Sequence, residues 1–124
     1  MSHIHWYPGH IAKAERQLKE QINLVDVVIE ILDARIPLSS RYPNIEQLVG
    51  QKPRLILLNK SDTCDLELTK KWQEKIKAET KYPVLLTCAN NSKDINLIVS
   101  KAIELSEPAI QKLMAKGLLR RPAR

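Results

Sequence analysis

The stretch Leu55-Ile56-Leu57-Leu58-Asn59-Lys60-Ser61-Asp62 decides how this chain is read. An aliphatic run that stops at an Asn-Lys-x-Asp tetrapeptide predicts a buried strand whose last residues turn out at a sheet edge. The tetrapeptide has the right chemistry for a guanine base. Guanine offers two adjacent donors, N1–H and the 2-amino group, and one carboxylate can accept from both. Adenine has no such pair. Asn59 can donate and accept, and the methylenes of Lys60 can lie along a flat ring while the ammonium stays in water. As four common loop residues the pattern is weak, and the apolar strand directly before it gives it weight.

Upstream, Val27-Val28-Ile29-Glu30-Ile31-Leu32 predicts a second buried strand ending at Asp33, and Pro37 prevents its simple continuation. Pro43 to Val49 predicts a short helix that closes at Gly50. Downstream, Leu68, Trp72 and Ile76 mark a helix before a third strand, Val84 to Thr87. Asp94 or Ser92 is expected to cap the next helix, whose apolar stripe is Ile95, Ile98, Val99, Ala102 and Ile103. Pro108 is expected to break it before a last helix through Met114 that ends at Gly117. At the start, Ile11, Ala14, Leu18, Ile22 and Val25 follow Pro8-Gly9 on one helical face, with Lys13, Arg16 and Lys19 largely off it. Three strands alternating with helices, over crossovers of roughly 20 residues, predict an α/β fold. It has three layers: a mainly parallel sheet of about three strands with flanking helices. The chain divides into an N-terminal helical segment (1–25), an α/β body with the base-recognition loops (26–106) and a basic helical tail (107–124).

At 124 residues and 44% hydrophobic, the chain can bury a core without disulfide or metal staples. No aliphatic run approaches the ~20 residues that span a bilayer. Met1 to Trp6 has neither signal-peptide nor transit-peptide character, which implies a cytoplasmic address. Cys64 and Cys88 lack the spacing of a disulfide framework or a zinc site and read as reduced thiols. Of the net charge of +6, residues 111–124 carry +5 through Lys112, Lys116, Arg120, Arg121 and Arg124, with no acid. Such a tail either meets a phosphate backbone by salt-sensitive attraction or is a solvated helix face. His3 and His5 make a H-x-H pair that can take up a stray metal ion, and no metal site is expected. His10, set by the Pro8-Gly9 turn, is either a surface or N-cap residue or, beside a phosphate, a group that orients water.

In open parallel sheets, ligands bind beyond the carboxyl ends of the strands. The loops there carry Asp33-Ala34-Arg35, then Asn59 to Asp62, then Thr87-Cys88-Ala89-Asn90. The second and third can enclose a base, with the N–H groups of Cys88 and Ala89 donating to its carbonyl oxygen. A phosphate cradle of the form G-x-x-x-x-G-K-[ST] is absent, for Gly9, Gly50 and Gly117 are scattered, and no D-x-x-G occurs. The sequence holds a base-binding half without a phosphate-binding half.

Together, Trp6-Tyr7-Pro8-Gly9-His10, Asp33-Ala34-Arg35-Ile36-Pro37 with Leu38-Ser39-Ser40-Arg41, and Asn59-Lys60-Ser61-Asp62 resemble the ribosome biogenesis GTPases of the YlqF/RbgA type. These are circularly permuted GTPases, in which the base-recognition motifs precede the P-loop. The resemblance runs from Trp6 to the C-terminus and implies the N-terminal half of a P-loop GTPase-like domain. It implies GTP or GDP as ligand, guanine recognition by Asn59, Lys60 and Asp62 in a turn that includes Ser61, a second base loop at Cys88 and Ala89, and water activation by His10. Mg²⁺ is expected only with the missing P-loop half, and no metal ligand is implied here. The implied partners are the large ribosomal subunit precursor and its rRNA, with no membrane. A full-length relative hydrolyses GTP, whereas this chain alone is expected not to. Arg120-Arg121-Pro122-Ala123-Arg124 is similar to the basic segment that in the family precedes the P-loop strand. If the other half supplies the strand beside Val27 to Leu32, that edge is left open to self-association. Ile11 stands where the family commonly has Met, and Thr87-Cys88-Ala89 differs from the Ser-Ala-Lys of ordinary GTPases. The competing expectation is a non-catalytic RNA-binding module acting through the basic tail.

Overall fold

The computed structural model describes residues 8–88 and 91–124. Strand β2 (Arg54–Asn59) lies between β1 (Val28–Asp33) and β3 (Val84–Leu86), parallel to both. The register sets Val28 opposite Arg54, Asp33 opposite Asn59 and Leu58 opposite Leu86. Helices α1 (Pro8–Ile22), α2 (Ile45–Val49), α3 (Leu66–Thr80) and α4 (Ser92–Ala115) surround this sheet. On one face Leu32, Ile56, Leu58 and Val84 pack with Ile76 of α3, and Trp72 and Tyr82 line the margin. Leu55 and Leu57, equally buried, point to the other face, where α4 reaches β2. A smaller cluster joins Ile22 to Leu48 and Val49 against Val28. Helices therefore lie on both faces, although over β1 the second face leaves Ile29 and Ile31 exposed, and the sheet is wholly parallel, as the alternation of strands and helices predicts.

Several helical details differ from the sequence reading. Pro108 lies inside α4, which continues unbroken to Ala115. An interior proline costs a helix about 3 kcal/mol. Burial of Ser106 and Ile110 on either side of it holds both halves of α4 to the core. Asn91, not Asp94 or Ser92, caps α4, its side chain accepting from the Lys93 N–H at 2.9 Å. Of the expected stripe, Ile95, Val99 and Ile103 are about half exposed, while Ile98 and Ala102 are partly buried. On α3 the inward residues are Thr69, Trp72 and Ile76, while Leu68 faces out. Among the described residues of α1, only Ile22 is buried. Helix α2 begins at Ile45 rather than Pro43 and ends at Gly50, whose φ of 61° suits glycine.

Strand β1 forms one edge of the sheet. Val28 donates to the Pro53 carbonyl at 2.9 Å and Ala34 to the Asn59 carbonyl at 2.8 Å, so the main-chain groups of alternate residues face outward. At the outer edge the Val27 N–H meets the Arg124 carbonyl at 3.3 Å, and the Asp33 N–H meets Ser40 Oγ at 3.1 Å. Between these two contacts stand Ile29 and Ile31, 40% and 63% exposed. Among the described residues no strand lies beyond β1.

Among the described residues, charge is buried at two places. Arg54, at the start of β2, is fully buried, with its guanidinium 2.7 Å from Glu46, 3.5 Å from Glu30 and 4.6 Å from the centre of the Tyr82 ring. Arg41 adds longer contacts to the same two acids, 3.9 Å to Glu30 and 3.6 Å to Glu46. The second place is Asp26, where Arg121 forms a two-pronged pair at 2.7 and 2.8 Å and the Arg124 N–H donates at 2.9 Å.

The Arg121 hydrogen bonds hold the Asp26 carboxyl below its ordinary value of 3.8, against the opposing effect of burial. A lowered folded-state pKa stabilises the fold above the unfolded-state value and loses that contribution as pH falls through the folded one. Asp26→Asn should lower stability at neutral pH by about 2 kcal/mol in urea melts and flatten the loss of stability below about pH 4. An unchanged acid limb would show that the pair contributes nothing to the fold.

Candidate functional site

The register that sets Asp33 opposite Asn59 brings the loops after β1 and β2 to the same edge. Asn59 is half-buried at the end of β2, and its carbonyl is fixed by the Ala34 N–H. Lys60 then takes the left-handed conformation, with φ at 62° and ψ at 29°. A non-glycine residue there costs of order 1 kcal/mol, and such strain concentrates at functional sites. The turn sends the chain into a single 3₁₀ turn, Ser61–Thr63, and the Lys60 ammonium lies 3.7 Å from the Asp33 carboxylate.

Ser61 joins this turn to the loop after β3. Its N–H and its hydroxyl both donate to the Thr87 carbonyl, at 3.2 and 3.1 Å. Thr87 is buried, and its own N–H donates to the Leu58 carbonyl at 3.0 Å. Asn59, Lys60, Ser61, Asp62 and Cys88 are thus gathered around one strand end. Ala89, expected beside Cys88, lies outside the described residues, as do Trp6, Tyr7, His3 and His5. His10 stands exposed on the first turns of α1, a helix held by Ile22 at its far end and by Glu15, whose carboxylate accepts from the Tyr42 hydroxyl and the Asn44 amide.

The carboxylates around the edge divide into engaged and unengaged. Asp33 accepts from the Arg35 side chain at 2.7 and 3.0 Å and from the Arg35 N–H at 2.9 Å. Those bonds, with Lys60 nearby, hold its carboxyl far below the usual carboxylate range. Asp94 accepts the Cys88 N–H at 2.8 Å. Asp62 is exposed and, among the described residues, makes no hydrogen bond or ion pair. Two unengaged acceptor oxygens on a turn fixed at both flanks are what a paired donor on a flat base requires. Among the described residues no three His, Cys, Asp or Glu side chains are grouped to hold a metal ion.

Two sets of contacts escape the sequence reading. Asp33 and Arg35 are visible there as a loop motif, but their pairing and its reach to Lys60 depend on the β1–β2 register. Asp94 reads as a helix cap because it opens an amphipathic segment, and only the path of the loop turns it back on Cys88. The tail also differs from a free cationic strip. Arg120 pairs with Glu107 at 2.8 Å and Arg121 with Asp26, so two of its five cations are engaged.

No family model matches the chain. Ribosome biogenesis GTPase A of Bacillus licheniformis is 41% identical over 121 residues, which are 98% of this chain and 42% of that protein. Ribosome biogenesis GTPase A of Priestia megaterium is 42% identical over 115 residues, 93% of this chain and 40% of that protein. Mitochondrial ribosome-associated GTPase 1 of Mus musculus is 40% identical over 100 residues, 81% of this chain and 31% of that protein. Among solved structures, GDP-bound TM YlqF superposes with a TM-score of 0.53 at 33% identity, over 65% of this chain and 34% of that one. The chain spans about two fifths of the length of the bacterial relatives it matches. The resemblance to YlqF/RbgA-type GTPases carried by its three motifs is borne out in both sequence and structure. Among the described residues no helix is long and apolar enough to cross a membrane.

The Ser61 contacts supply a direct test of how the two loops are joined. Ser61→Ala should cost about 1 kcal/mol in urea melts, the usual worth of one hydroxyl hydrogen bond. Faster hydrogen exchange at residues 60–62 should accompany it. Unaltered exchange would show the loops to be held independently.

Proposed function

We propose that this chain binds guanine nucleotides at the Asn59–Asp62 turn and is the base-specificity part of a GTPase that acts in the cytoplasm on the large ribosomal subunit precursor and its rRNA. The observation that carries this reading is the unengaged Asp62 carboxylate on a turn that Ser61 ties to the neighbouring loop. The names of the relatives, ribosome biogenesis and ribosome-associated GTPases, and the GDP in the structural neighbour support it.

In this reading the two Asp62 oxygens accept N1–H and the 2-amino group of guanine, Asn59 hydrogen-bonds the base edge, and the Lys60 stem lies along the ring. Ser61 keeps the turn against the second loop, whose Cys88 and Ala89 N–H groups are the donors assigned to the base carbonyl. His10 holds and orients the attacking water. Mg²⁺, when present, neutralises phosphate charge and enters with a phosphate-binding loop of the kind this sequence lacks. Binding of the base alone supplies little transition-state stabilisation, because phosphoryl transfer depends on positioning and charge at the phosphates. The open β1 edge, with the exposed Ile29 and Ile31 beside it on the sheet face, is the surface through which copies of the chain would associate.

The RNA-binding alternative has lost ground with the engagement of Arg120 and Arg121. Deleting the tail would also remove the Asp26 clasp, so replacing Lys112 and Lys116 by Ala is the cleaner probe. Under the alternative, that change weakens a steeply salt-dependent RNA affinity.

Calorimetric titration of residues 1–124 should show GDP bound more tightly than ADP. Asp62→Asn should remove that preference, a loss of roughly tenfold or more. Equal affinity of the unaltered chain for GDP and ADP would refute the base site. GTP turnover above background by the same chain would refute its dependence on a phosphate loop.

A further inference from the structure

One of the two main-chain donors assigned to the base carbonyl is already taken. The Cys88 N–H donates to Asp94 Oδ2 at 2.8 Å. The N-terminal turn of α4 does not need Asp94 as a cap, because Asn91 already fills that place. Nor does the loop depend on it alone, since the Asn91 N–H closes on the Cys88 carbonyl at 3.0 Å. The carboxylate instead presents to Cys88 what a base carbonyl would present, an oxygen acceptor, and it does so with a full negative charge.

We propose that Asp94 is a built-in competitor for the base at the Cys88 N–H and thereby sets how sharply the site separates guanine from adenine. This rests on the base-site reading above. Guanine carries a carbonyl oxygen at position 6, whereas adenine carries an amino group there. A guanine carbonyl approaching Cys88 must displace the carboxylate and meets its charge. An adenine amino group meets an acceptor that can receive it. Asp94 therefore weakens guanine binding and softens discrimination at this edge, while Asp62 enforces it at the other.

The bland role of the same contact is to anchor the loop on α4, and the two roles predict opposite signs. If Asp94 competes, Asp94→Ala in the 124-residue chain should raise GDP affinity roughly tenfold by calorimetry, the worth of freeing one N–H from a charged acceptor. ADP affinity should stay level or fall. Asp94→Asn, nearly isosteric and neutral, should give a smaller gain and covers the case in which the alanine variant does not fold. Without nucleotide, the Cys88 amide should shift and lose exchange protection in the ¹⁵N NMR spectrum of the alanine variant. GDP affinity that is unchanged or weakened in both folded variants would overturn the proposal and leave Asp94 as an anchor. An unmoved Cys88 amide would overturn it as well. Failure of the base-site reading shows elsewhere, in an Asp62→Asn variant that retains whatever preference the unaltered chain has.

Discussion

Burial of β2 from Arg54 to Leu58 is the constraint on which the structure depends. A strand covered on both faces must be apolar, and Leu55 to Leu58 meets that demand. Its first residue does not. Arg54 is a cation with no exposed surface, and leaving such a charge unpaired would be prohibitive. Glu46 from α2, Glu30 from β1 and the Tyr82 ring before β3 surround it, so the elements on either side of the strand converge on one guanidinium. Several nitrogens of Arg54 and Arg41 and both Glu30 oxygens have no hydrogen-bond partner here, which makes this cluster an electrostatic hub rather than a closed hydrogen-bond network.

From that hub the strand runs to the opposite end of the sheet, where the candidate site lies. Because the β1–β2 register pairs Asp33 with Asn59, whatever fixes one loop bears on the other. Three carboxylates meet there in three electrostatic situations. Asp33 is saturated by Arg35 and Lys60, Asp94 is spent on a main-chain N–H, and Asp62 has its oxygens to offer. A site that accepts a donor pair needs one open carboxylate, and the engagement of the other two keeps them from competing for that pair.

Much of this was legible from residue order. The aliphatic run before Asn59 defined the central strand, the β-branched run ending at Asp33 defined its neighbour, and the Asn-Lys-x-Asp turn fell at a strand end. The unreadable parts depend on distant partners. Nothing in the residues around Pro108 reveals that a helix will continue through it, because the compensation is tertiary, in the burial of Ser106 and Ile110. The stripe on α4 obeyed helical spacing and still left Ile95, Val99 and Ile103 about half exposed, since periodicity identifies a face without identifying what covers it. The Asp33–Lys60 and Cys88–Asp94 contacts required a register and a loop path that local sequence does not encode.

The clasp at Asp26 joins residues 95 and 98 positions apart. Protein synthesis proceeds at about 5–20 residues per second, so the Asp26 carboxylate waits roughly 5 to 20 s for Arg121 to be made. During that interval the strands and α3 can assemble from short-range pairings, and Lys52 can already reach the Val25 carbonyl, while the Asp26 carboxylate itself remains hydrated. The order of maturation is therefore written into the chain: the strand end bearing Asn59 to Asp62 and the anchors of α1 at Glu15 and Ile22 can form early, and the clasp at Asp26 closes last, on residues made 95 and more positions later.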